Sequence, residues 1–145
     1  MKLKIAAISD IHGFFPEITE PADVLLIAGD ISPLNLQRNK IEMEEWIFTT
    51  FVEWIRSIPV QKVVLVAGNH DYFFQGISQT KKGQLELATG FKLVYLKHCS
   101  YEYYNGEEKV SIFGTPYCHM FGNWPFMLDD ISLEYKFADI PDKVD

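Results

Sequence analysis

The sequence predicts an α/β fold, with mixed β-sheets flanked by helices, and three observations carry that prediction. Leu3 to Ile8, Val24 to Ala28 and Val63 to Ala67 are short apolar runs that lead directly into polar turns. Continuous runs of this kind, rather than strict alternation, suit parallel strands covered on both faces. Between the second and third runs lies one long amphipathic stretch, the length a crossover between parallel strands needs. Downstream, Asn105-Gly106 separates two β-prone runs, which signals an antiparallel hairpin.

Each element has its own signal. The first strand stops where Ser9 and Asp10 replace Ile8, and Pro16 and Pro21 punctuate the loop that follows. The second, in "ADVLLIAGD", is branched, apolar and closed by Gly29-Asp30. In "NKIEMEEWIFTTFVEWIRSIP", Ile41, Trp46, Ile47, Phe51, Ile55 and Ile58 fall near a 3.6-residue period, and Pro59 ends the helix. The third strand, "KVVLVAGNHD", repeats the form of the second. A weaker helix is predicted over Gln79 to Ala88, then a strand over Lys92 to Lys97 containing or abutting His98, then the hairpin. Parallel α/β units therefore come first and antiparallel strands are added after them.

A chain of 145 residues, 48% hydrophobic and 14% aromatic, has the material for one compact domain with a true core. No repeat or low-complexity linker divides residues 1–145, so a single domain is expected. The net charge of -7 argues against a nucleic-acid surface or an anionic membrane, both of which call for clustered Lys and Arg. It leaves room for a small phosphate ester, because bound cations reverse the sign of a site locally. Cys99 and Cys118 form no CxxC pair, the N-terminal apolar run breaks too early for a secretory leader, and no stretch approaches the ~20 apolar residues of a membrane span. A soluble cytoplasmic protein is the expectation.

The polar residues at the three strand ends carry the chemistry. The first strand delivers Asp10 and His12, the second Asp30, and the third Asn69, His70 and Asp71. Open α/β sheets bind ligands beyond the carboxyl ends of their strands, so neighbouring strands would bring these groups to one rim. Carboxylates, imidazoles and an amide oxygen suit divalent cations such as Mn, Fe or Zn. On a regular strand, Asp10 and His12 would point the same way. Gly29 and Gly68 allow a sharp turn or close approach just before the donors. Any one of these motifs alone is a common solvated strand end; three in order, each after the same kind of strand, point to a metal site.

Those blocks, "SDIHG", "AGDIS" and "AGNHDYF", resemble the calcineurin-like metallophosphoesterases over residues 3–74. The resemblance implies a metallophosphoesterase-like α/β/β/α sandwich. It implies two divalent metal ions, with Asp10 and His12 on the first, Asp30 bridging, Asn69 on the second, and His70 facing the scissile phosphate as the catalytic residue. It also implies hydrolysis of phosphodiesters or phosphomonoesters, with the cations polarising the phosphoryl group. "IFGTPY" and the aromatic loop after it look like a turn from a phosphodiesterase branch of the family.

The chain also departs from the pattern. Where many relatives carry an Asp three residues after the bridging one to support the histidine, Pro33 stands here, and Asp71 is the substitute at hand. The later histidine and the Gly-His-x-His block are absent, leaving only His98, read as structural, and His119, read as a residue of the aromatic loop beside the pocket. The ending "KFADIPDKVD" looks like the approach to another strand. The expectation is therefore a C-terminally truncated domain, with a second copy covering the exposed edge as a homo-oligomer.

Two functions from different classes follow. One is the metal-dependent phosphoesterase. The other is a catalytically silent, truncated remnant that keeps the fold and serves as a binding or interaction module. A metal-free nucleotide-binding protein is disfavoured, since neither GxGxxG nor a P-loop occurs. Tyr72, Phe73, Tyr117, Phe121 and Trp124 divide evenly between packing and substrate recognition.

Overall fold

The computed structural model describes residues 2–145. Strands β1 (Ile5–Ile8), β2 (Ala22–Ala28), β3 (Val60–Val66) and β4 (Leu93–Leu96) form one sheet in that spatial order. All three pairings are parallel, with Ile8 opposite Ile27, Ile27 opposite Leu65, and Leu65 opposite Tyr95. The carboxyl ends of β1, β2 and β3 are thus aligned side by side.

The apolar runs are continuous because both faces of the sheet are covered. Leu25, Ile27, Val63, Leu65, Leu93 and Tyr95 point into the larger core, against the helices. Their neighbours Val24, Leu26, Val64, Val94 and Leu96 point into a second cluster, against Tyr101, Tyr103 and Ile112 of the hairpin β5 (Cys99–Asn105) and β6 (Glu108–Gly114). This alternation is the two-residue period of a strand. The parallel sheet and the antiparallel hairpin make the mixed sheets flanked by helices that the sequence predicts. The turn differs by one residue. Asn105 pairs with Glu108, so Gly106 (φ 64°) and Glu107 are the central pair, the first position being where a II′ turn wants glycine.

The predicted crossover helix contains a wide turn. Asn39 caps α1 (Lys40–Trp46), its side chain accepting from the Ile41 and Glu42 amides; a π-helical segment covers Ile47–Phe51, and α2 (Val52–Ser57) completes the helix. Met43, Ile47, Phe51 and Ile55 are fully buried and spaced four apart. In a uniform α-helix each such step overshoots the face by ~40°. A π turn holds more residues and brings them back into line. Met43 takes the inward place expected of Ile41, which is 82% exposed. Measured from Ile47, Met43 is ~40° round the helix and Ile41 ~120°.

The short α3 (Tyr72–Gln75) and α4 (Gln79–Ala88, capped by Ser78) lead from β3 to β4. Two-residue strands β7 (Cys118–His119) and β8 (Met127–Leu128) follow the hairpin, then α5 (Asp130–Ala138). The sequence reading does not include α5 and expects an approaching strand nearby. Asp129 caps the helix by accepting from the Ser132 amide, and none of its residues is buried. Its cap was visible, but an inward apolar face was not there to be seen. No helix among the described residues is long and apolar enough to cross a membrane.

Candidate metal centre

The donors sit on strained backbone, not on strands. β1 ends at Ile8, and beyond it Asp10 (φ 54°) and His12 (φ 43°) are left-handed, as is Asp30 (φ 55°) beyond β2. Among the described residues, three of the six non-glycine residues with positive φ are therefore the donors predicted from the first two blocks. Asp and His enter this region more readily than most residues, yet it costs energy and must be held by its surroundings. The holding bonds are Asp10 N–H to the Gly29 carbonyl (3.1 Å), His12 N–H to Asp30 (3.0 Å) and Gly13 N–H to Ile31 (2.9 Å). The loop after β1 is laced to the loop after β2. Asp10 and His12 converge through this lacing, rather than through the strand alternation the sequence suggests.

One ligand atom each from Asp10, His12 and Asp30 lies within 4.8 Å of the others. His12 Nδ1 is 3.3 Å from the Ser32 carbonyl, which only accepts, so Nδ1 carries the proton and Nε2 keeps its lone pair. A histidine fixed in this way by a backbone carbonyl is the usual support of a metal ligand. Two carboxylates and a lone-pair nitrogen in so small a space fit a divalent cation.

The turn after β3 closes the rim. The His70 N–H donates to Asp30 Oδ1 (2.9 Å), setting the imidazole beside the donors, its ring 5.1 Å from that of His12 and edge-on to it. Asn69 stands one residue earlier in the same turn. His70 Nδ1 is 2.7 Å from Gln37 Oε1, while Gln37 Nε2 donates to the Leu34 carbonyl (3.0 Å). The second bond fixes which way the amide faces, so His70 Nδ1 is the donor and Nε2 is left free. Gln37 thus does what the sequence sought in Asp71. An uncharged residue in an irregular segment gave no signal of this.

Asp71 has a different task. Its buried carboxylate accepts from the Asp30 N–H (2.8 Å), the Gly68 N–H (2.8 Å), the Ser32 N–H (3.0 Å) and the Ser32 hydroxyl (2.7 Å). Burial pushes its carboxyl above the usual aspartate range, and the Gly68 and Ser32 bonds pull it back. It staples the turn after β2 to the turn after β3. The two glycines make the approach possible: a Cβ on Gly29 would lie 2.8 Å from Gly68 Cα, and one on Gly68 only 2.1 Å from Asp30 Oδ1. Pro33 fills the space over Gly13, where a Cβ would meet its ring at 2.8 Å.

A family model for calcineurin-like phosphoesterases matches residues 3–140. The chain belongs to that family. It is 28% identical over 163 aligned positions to metallophosphoesterase domain-containing protein 1 of Homo sapiens and of Mus musculus, an alignment covering 98% of this chain and 46% of each relative. It is also 28% identical over 126 residues to a probable rhamnogalacturonate lyase C of Emericella nidulans, covering 86% of this chain and 11% of that protein. The chain spans less than half the length of these relatives.

In this member of the calcineurin-like phosphoesterase family the remaining candidates separate clearly. Trp124 packs on His70 at 4.6 Å between ring centroids, and Tyr72 is 6.1 Å from Trp124, so these two aromatics border the site. Phe73 packs edge-on against Phe74, and Tyr117 against His98 and Phe126, as core residues. Phe121 is 69% exposed. His119 pairs with Asp130 at 3.1 Å, joining β7 to α5. His98 lies in the bend after β4 with φ 56°, its Nδ1 3.1 Å from the Thr115 hydroxyl, a turn position rather than a strand one. Cys118, on β7, feels Asp30: burial and then that carboxylate's charge push its thiol up.

Proposed function

We propose that this chain is a metal-dependent phosphoesterase that hydrolyses phosphodiester or phosphomonoester bonds. Asp10, His12, Asp30 and Asn69 hold two divalent cations, and His70 faces the phosphate. The observation that carries this reading is the convergence of Asp10, His12 and Asp30 on left-handed backbone, with His12 Nε2 left free to ligate. The family and the printed name of the two mammalian relatives support the same chemistry. Cations bound there supply Lewis-acid polarisation of a phosphoryl oxygen.

The chain's own residues do the rest. Asp30 orients the His70 backbone while offering its carboxylate to the cation. Gln37 holds His70 Nδ1–H, so Nε2 is the atom turned to the leaving oxygen, and as the imidazolium the ring gives its Nε2 proton there or stabilises the charge. Trp124 packs against one side of the His70 ring. The two cysteines are free thiols, which fits a cytoplasmic setting.

A specific observation favours the silent binding module as a second reading. Among the described residues, Asp10, His12 and Asp30 are the one cluster of three or more His, Cys, Asp or Glu donors. That set suffices for one cation rather than two. Hydrolysis of bis-p-nitrophenyl phosphate with added Mn²⁺, in the wild type and in Asp30→Asn and His70→Ala variants, separates the two. Wild-type turnover lost in both variants supports the enzyme; Mn²⁺ binding without turnover supports the module.

A further inference from the structure

The chain has two arginines, and one of them stands beside the candidate site. The Arg38 guanidinium lies 5.2 Å from the Tyr72 ring centroid and 5.3 Å from that of Trp124. Trp124 in turn packs on His70, and Gln37, the residue before Arg38, bonds the same imidazole. Arg38 is therefore fixed to the site through both its backbone neighbour and its side chain. Among the described residues, the ion pairs and the hydrogen bonds donated by cationic side chains use other residues. Arg38 is exposed, so its guanidinium N–H groups face solvent while two rings brace it.

Aromatic faces hold a guanidinium without using its hydrogen-bond donors. The planar fork stays available for an oxyanion, which it grips in two-point fashion. Trp124 touches the His70 ring and the Arg38 guanidinium alike, so the arginine stands one ring away from the imidazole proposed to face the phosphate. We propose that Arg38, braced by Tyr72 and Trp124, is a specificity-determining residue that binds a second oxyanion on the leaving group. The preferred substrates are then phosphate esters whose alcohol carries a carboxylate or a further phosphate. This rests on the phosphoesterase reading and names the substrate class for it.

The test compares phenyl phosphate, 4-carboxyphenyl phosphate and 1,4-phenylene bisphosphate on the Mn²⁺-loaded chain. The second anion is held in the ground state and the transition state alike, so its effect falls on KM rather than kcat. The wild type should favour a probe that carries the second oxyanionic group over phenyl phosphate about ten-fold in kcat/KM, mostly through KM. That preference should vanish in Arg38→Gln and survive in part in Arg38→Lys, whose single point charge cannot reproduce the fork. The better of those two probes tells carboxylate from phosphate. Equal use of all three by the wild type, or a preference untouched in Arg38→Gln, overturns the proposal. If nothing is hydrolysed, calorimetric titration with the same ligands decides separately. Tighter binding of a probe with the second oxyanionic group, dependent on Arg38, keeps the subsite and ends the hydrolase reading, and equal binding ends the subsite.

Discussion

Asp71 is where removing one side chain should do the most damage. Its carboxylate holds three backbone amides, those of Asp30, Ser32 and Gly68, and the Ser32 hydroxyl. In Asp71→Ala the hydroxyl can rotate to another acceptor, but the amides cannot. Each stranded amide costs ~1–3 kcal/mol. Relief from burying a carboxylate offsets part of that, leaving a net loss of ~3–5 kcal/mol. Asp71→Asn is the sharper test. Its oxygen replaces the one that accepts from Asp30 and Gly68, and its NH₂ donates to the Ser32 hydroxyl, so only the Ser32 amide is stranded. The loss should fall to ~1–3 kcal/mol. Urea unfolding followed by circular dichroism measures both variants against the wild type. Losses under ~1 kcal/mol for alanine, or an asparagine variant as unstable as alanine, would refute the four-donor reasoning.

Three further outcomes follow from the same geometry. Gly68→Ala places a methyl against Asp30 Oδ1, so Mn²⁺ affinity should drop at least ten-fold in calorimetry; wild-type affinity would show that the contact yields. Gln37→Leu removes the acceptor on His70 Nδ1 and should lower kcat about ten-fold with KM little changed, while Gln37→Glu, which still accepts, should keep most of it. Because the Asp30 charge helps to push the Cys118 thiol up, a cation at Asp30 should bring it down. In a Cys99→Ser background, iodoacetamide should then alkylate Cys118 faster with Mn²⁺ and slower again with EDTA; a rate indifferent to Mn²⁺ would count against that coupling.

The strands were legible because burial on both faces leaves its mark on every residue: Val24 and Leu25 face opposite cores and both are apolar. The convergence of Asp10, His12 and Asp30 was legible because three polar blocks follow three like strands in order. Their left-handed backbone was not, since φ depends on hydrogen bonds between loops about twenty residues apart, as from His12 N–H to the Asp30 carbonyl. Asp71 was misread for a related reason. A carboxylate next to His70 suggests support for it, and nothing in sequence order shows that its partners are three amides on two turns. Gln37 and Arg38 were invisible because they lie in an irregular segment with no period to place them. Helix α5 was missed because a helix without buried residues has no face for a pattern to reveal.

The central claim is that Asp10, His12 and Asp30 form a cation site, and Mn²⁺ titration monitored by electron paramagnetic resonance tests it most directly. The wild type should bind Mn²⁺ saturably, and His12→Ala and Asp30→Asn should each weaken binding at least a hundred-fold. Wild-type protein that leaves Mn²⁺ free in solution, or binding that both variants retain, would contradict it.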